Sequence, residues 1–167
     1  MVINIINLFN HVSWLIKTKN MQVELRLFKA LQNDYGFNLT VKVDGQEYTR
    51  YFSMIDNEFF KSESIKEAED AIKWINQFCD PLDCEIPKNK DFDLLIYLVD
   101  VMNFPYGHTV SLELNTIDNN SELFISVSNT QIKCNSPTYI CLPYSSEGID
   151  QGYSFLMEKH FAYATNS

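Results

Sequence analysis

Residues 36–54 read GFNLTVKVDGQEYTRYFSM, and this stretch decides the fold. Phe37, Leu39, Val41 and Val43 alternate with Asn38, Thr40 and Lys42, the period of two that a half-buried strand imposes. Asp44-Gly45 follows, a dipeptide suited to a type I′ turn because both central residues need positive φ. Gln46 to Met54 returns with Tyr48, Thr49, Tyr51 and Phe52, residue types that pack well on a pleated surface. On that returning strand Tyr48 and Phe52 share one face and Tyr51 takes the other. The stretch predicts a β-hairpin.

An acidic amphipathic helix is expected after the hairpin. Ser64 and Glu67 have the spacing of a capping box. Ile65, Ala68, Ile72, Ile75 and Cys79 fall on one helical face, with Glu63, Glu67 and Asp70 on the other side. Asp80-Pro81 ends it, because a residue before proline is pushed out of the helical region. A loop with Pro81 and Pro87 runs on to Lys90.

Upstream of the hairpin the pattern divides. Val23, Leu25 and Leu27 alternate as in a strand. Met21, Leu25, Phe28 and Leu31 keep helical spacing, and Glu24, Arg26, Lys29 and Ala30 are good helix formers. We read residues 21–32 as a helix, closed by Asn33-Asp34-Tyr35-Gly36 as a C-cap and turn. Residues 1–20 carry Ile3, Ile6, Phe9, Val12, Leu15 and Ile16, which suits a short helix or a loosely attached N-terminal arm.

Downstream, Asp91 to Phe104 predicts a second core helix with a polar stripe of Asp93, Tyr97 and Asp100. A buried strand over 94–99 is the competing reading. The last third turns β. Val110, Leu112 and Leu114 alternate, Asp118-Asn119-Asn120-Ser121 is a turn, and Leu123, Ile125 and Val127 alternate again. Short strands over Ile132–Cys134 and Tyr139–Leu142 complete an antiparallel meander. Gly148 and Asp150 then introduce a C-terminal helix bearing Tyr153, Leu156, Met157 and His160. The expected fold is α+β, an antiparallel sheet made of the hairpin and a C-terminal meander, packed against several helices in one domain spanning 1–167.

The chain has 167 residues, 46% hydrophobic and 21% charged, with a formal net charge of −9. A folded globular domain is expected from those values. The negative charge argues against nucleic acid or an anionic membrane as partner and suits a basic protein. The charge is uneven: residues 56–100 carry a net −7, whereas residues 1–55 carry a net +2. Residues 1–20 lack a basic leader and are interrupted by Asn4, Asn7, Asn10 and His11, so a cytoplasmic protein with reduced thiols is expected.

Motifs for catalysis are missing from the sequence. It contains no G-x-S-x-G elbow, P-loop, G-x-G-x-x-G or H-E-x-x-H. Cys79 and Cys84, and Cys134 and Cys141, are spaced too widely for a four-thiolate zinc site. They are expected to be reduced, largely buried and free of metal. His11, His108 and His160 stand singly in the sequence. No catalytic residue, metal or cofactor is assigned.

A small acidic α+β chain of this kind resembles the immunity proteins of bacterial toxin systems, including those of contact-dependent growth inhibition. The resemblance is one of size, charge and type across the chain. It implies that the protein binds a cognate toxin, a basic one such as a nuclease, and masks its active or substrate-binding site. The expected contacts are Glu63, Glu67, Asp70, Asp80, Asp83 and Glu85 on the acidic helix and adjoining loop, with Tyr48 and Tyr51 as aromatic anchors. The alternative is a small cytosolic enzyme with a pocket between sheet and helices, drawing on His108, Cys134 or an acid pair.

Overall fold

The computed structural model describes residues 5–29, 35–54, 66–79, 91–103, 107–128 and 138–165. In chain order the elements are α1 (Ile5–Lys19), β1 (Gln22–Lys29), β2 (Tyr35–Val43), β3 (Gln46–Met54), α2 (Lys66–Ile75), α3 (Asp91–Asn103), β4 (Thr109–Ile117), β5 (Asn120–Ser128), β6 (Thr138–Pro143) and α4 (Ser146–Thr165). A single turn of 3-10 helix, Asn76–Phe78, extends α2. The six strands form one antiparallel sheet in the order β3-β2-β1-β4-β5-β6.

The hairpin forms as its sequence dictates. Asp44 and Gly45 take φ of 51° and 77°, and the register runs from Val43 opposite Gln46 to Tyr35 opposite Met54. Asp118 and Asn119 repeat the device between β4 and β5, with φ of 50° and 62°. Phe37 and Phe52 face each other across β2 and β3, their rings stacked at 4.8 Å.

The helix expected over residues 21–32 is not formed: residues 22–29 are β1. Their alternation prevails over their helical propensity because both edges of the strand find partners. Leu25 pairs with Leu39 of β2 on one side and with Leu114 of β4 on the other. A central strand gains two ladders and a fully buried face, which outweighs propensity differences of a few tenths of a kcal/mol per residue. β1 thereby joins the hairpin and the meander into one sheet.

Register places Val23, Leu25, Leu27, Phe37, Leu39, Val41, Val110, Leu112, Leu114, Leu123, Ile125 and Val127 on one face, and all are buried. The helices pack on that face. α1 contributes Leu8, Phe9, Val12, Leu15 and Ile16, each fully buried, and packs on β1, β4 and β5. Asn20, with φ of 54°, turns the chain at its end. α2 packs on β3, α3 on β4, and α4 on β5 and β6.

α3 is a helix over the predicted range, so the competing strand is not formed. Asp93 and Tyr97 are exposed as expected, but so is Leu94, at 64%. α4 lies unusually close to the sheet. A Cβ on Gly152 would stand 2.6 Å from Ile125 Cδ1, and one on Gly148 would stand 1.9 Å from the Pro143 carbonyl oxygen. Two glycines one helical turn apart let the first turns of α4 rest directly on the end of β6. The predicted strand over 132–134 lies outside the described residues.

Candidate functional site

The opposite face of the sheet carries no described element. Register lines up Tyr51, Asn38, Arg26, Glu113, Phe124 and Cys141 across all six strands. Tyr51 is 52% exposed and Tyr139 is 74% exposed. The Arg26 guanidinium sits 5.5 Å from the centre of the Phe28 ring, and Phe28 lies 6.1 Å from the ring of Tyr51. Gly36 makes this cluster possible: a Cβ there would stand 2.7 Å from the Tyr51 hydroxyl and 2.9 Å from its ring. The missing side chain lets the tyrosine lie down on the sheet, where it offers a flat aromatic surface beside a cation. Rigid aromatic surface of this kind binds protein at low entropic cost.

Tyr48 lies on the other, helix-bearing face of β3, together with Phe52. Its ring is 5.2 Å from Phe78, which is 5.1 Å from Trp74, so it belongs to an aromatic string tying β3 to α2. Its hydroxyl donates to Gln46 Oε1. The structure therefore separates Tyr48 from Tyr51, and the two cannot serve one flat patch. Asp70 lies half-buried on α2. Glu67 is in the first turn of that helix, its side chain outside the described ones. Glu63, Asp80, Asp83 and Glu85 lie outside the described residues, as do Ser64, Cys84 and Cys134.

Two histidines that looked solitary meet. His160 Nδ1 is 3.4 Å from His108 Nε2, with the rings perpendicular. His108 is buried, and burial, then the neighbouring His160 and Lys29 charges, holds it below the usual imidazole range. Lys29 Nζ donates to the backbone carbonyls of Asn103 at 2.7 Å and His108 at 3.2 Å. There it faces the negative end of α3. Asn103 itself is fully buried. Its Oδ1 accepts from the Val110 N–H at 2.7 Å, and its Nδ2 donates to the Val110 carbonyl at 3.2 Å and the Tyr35 hydroxyl at 3.1 Å. Tyr35 in turn reaches Asp100 at 3.4 Å. Only the 52-residue separation of His108 and His160, closed by tertiary packing, conceals this cluster from the sequence. Its bonds to the backbone of Asn103, His108 and Val110 make it a clamp between α3 and the sheet.

Thiol expectations divide as well. Cys79 is half-buried, but Cys141 is exposed rather than buried, because its position on β6 points to the face that carries no described element. Its Sγ donates to Glu122 Oε2 at 3.8 Å. Partial desolvation, then the Glu122 carboxylate, pushes this thiol up.

Two clefts beside the β1–β2 strands are small and polar. One of about 310 Å3 opens where β1 and β4 part, and its walls include Glu24, Thr40, Lys42 and Asp118. The parting has a local cause: Thr116 Oγ1 accepts from the Val23 N–H at 2.9 Å in place of a ladder bond. No group of three His, Cys, Asp or Glu side chains among the described residues is placed to hold a metal ion. No described helix is long and apolar enough to cross a membrane.

No known family profile, curated protein or solved structure matches this chain.

Proposed function

We propose that this protein binds and neutralises another protein, as a cytoplasmic immunity protein does for a cognate basic toxin. The observation that carries this reading is the sheet face on which no described element packs, with Tyr51, Phe28 and Arg26 clustered over Gly36. Among the described residues, six strands bury one face of the sheet under four helices and leave exposed aromatic rings on the other. Antiparallel sheets can leave one face to water; on this one, otherwise mainly polar, Tyr51 and Tyr139 are exposed rings among charged and amide side chains. Exposed tyrosines are the residue type that anchors protein interfaces. The net charge of −9 supports a basic partner, since opposite potentials speed encounter.

In this reading the surface toxin segment is masked by the aromatic face, and the acids of residues 56–100 steer approach. Reversing Glu63, Glu67, Asp70, Asp80, Asp83 and Glu85 to lysine slows association and weakens its salt dependence. Tyr51→Ala raises the dissociation rate about tenfold, or about 1.4 kcal/mol. Co-expression with the product of the adjacent gene is the decisive experiment. Growth protection together with a stable complex supports the reading; a toxic neighbour that is neither bound nor neutralised overturns it.

A further inference from the structure

Strand β6 ends the sheet, and among the described residues it pairs with β5 alone. Its free edge can be read from one hydrogen bond. The Tyr144 N–H donates to the Ser121 carbonyl at 2.9 Å. Antiparallel pairs alternate between bonded and non-bonded positions. Counting back along the β5–β6 register, Leu142 and Ile140 turn their backbone groups toward β5, while Pro143, Cys141 and Tyr139 turn theirs away. Proline at an outward position costs the ladder nothing, which is where edge strands carry it. The Pro143 carbonyl is taken by the Ser145 N–H at 2.9 Å. Tyr139 and Cys141 therefore present the edge's donors and acceptors.

α4 overhangs that edge, because Gly148 and Gly152 seat its first turns against Pro143, Leu142 and Ile125. Between the helix and the strand runs a groove of about 670 Å3, with Ile140 and Phe155 as apolar lining and Glu147, Asp150 and Glu158 as its charges. Glu147, Gln151, Ser154 and Glu158 recur at four, three and four residues, so they form one stripe along the helix. The three carboxylate residues are exposed. One cation, Lys159, stands 5.6 Å over the Phe155 ring. An edge without a partner strand among the described residues, an apolar floor and an acidic wall occur together.

We propose that β6 is the docking edge for an extended, lysine- or arginine-rich segment of a partner protein, which adds to the sheet as a seventh strand. Strand addition takes affinity from main-chain bonds and specificity from alternate side chains. Here the ladder is made by Tyr139 and Cys141. Side chains on one side of the added strand enter the groove and meet Glu147, Asp150 and Glu158. Those on the other side lie beside Tyr139 and extend the uncovered face. A second copy of this chain is disfavoured, because it would bring another acidic stripe against the first and carries −9 itself. That the partner is a toxin rests on the function proposed above; the edge and its charge preference do not.

The test is a titration of the isotope-labelled full chain with a short synthetic peptide alternating lysine and valine, and with its glutamate–valine counterpart. The expected result is saturable shift changes at Tyr139, Cys141 and residues 147–158 with the lysine peptide alone. Binding weakens about tenfold or more in a Glu147→Lys, Glu158→Lys double variant. It also weakens in Cys141→Pro, which keeps every bond to β5. The double variant alters exposed side chains only and reports even if the proline variant fails to fold. No binding, equal binding of both peptides, or shifts confined to the surface around Arg26 and Tyr51 overturns the proposal. A chain that binds the lysine peptide at β6 but does not neutralise the adjacent toxin keeps the docking edge and refutes the immunity reading instead.

Discussion

Replacing Asn103 with alanine removes the centre of the clamp between α3 and the sheet. The side chain is fully buried and holds both the N–H and the carbonyl of Val110 while donating to Tyr35. Alanine leaves the two Val110 backbone groups without that partner, and each buried polar group so orphaned costs about 1–3 kcal/mol. The Tyr35 hydroxyl keeps a longer contact to Asp100 at 3.4 Å and adds less. The expected loss is about 4 kcal/mol, at the upper end of single-residue effects. For a chain of this size that lowers the melting temperature by about 8–16 °C. Denaturant and thermal unfolding followed by circular dichroism measure it, and amide exchange at Val110 reports the site directly. Asn103→Asp is the companion variant. It keeps the acceptor for the Val110 N–H but turns a buried carboxylate toward the Val110 carbonyl, so the loss persists at neutral pH. It is partly recovered at acidic pH, where the protonated carboxyl donates again. A loss below about 1 kcal/mol in Asn103→Ala would refute the clamp and mean that water or relaxation satisfies these groups.

Stability is expected to fall as pH drops below the ordinary imidazole value of 6.5, because burial holds His108 and His11 below it in the folded chain. The unfolded chain then takes up protons first, so stability present above 6.5 is lost on the way down to the folded pKa. Melting temperatures between neutral and mildly acidic pH test this, and the slope should flatten in His108→Gln. Glu122→Gln should lower the Cys141 thiol pKa and speed its alkylation at neutral pH, since the carboxylate it removes opposes the thiolate; an unchanged rate would mean that the contact has no electrostatic effect. Gly148→Ala should destabilise the chain by about 1–3 kcal/mol, because the new methyl would overlap the Pro143 carbonyl. Wild-type stability in that variant would show that α4 can lift off β6 freely.

Local pattern carried much of the fold. The hairpin was legible because Asp44-Gly45 and the alternation around it act within a few residues. α3, α4 and the β4–β5 hairpin were legible for the same reason. β1 was not, because its residues satisfy both periods and the choice depended on β4, about ninety residues further along the chain. The candidate sites divide in the same way. Tyr51 was visible as a strand tyrosine, but its resting place on Gly36 and Phe28 belongs to the pairing of three strands. The expected opposition of Tyr48 and Tyr51 followed from the period of two, yet which of them faced the helices depended on where α2 packed. The stripe Glu147–Glu158 was present in helical spacing and carried no meaning until α4 was set beside a sheet edge. His108 and His160 became neighbours only through the packing of α4. Composition and short-range period determined the elements and the sign of the charge. Tertiary structure decided strand order and which face and edge of the sheet the described elements leave open, because these are set by contacts between segments far apart in the chain, for which a residue's near neighbours hold no record.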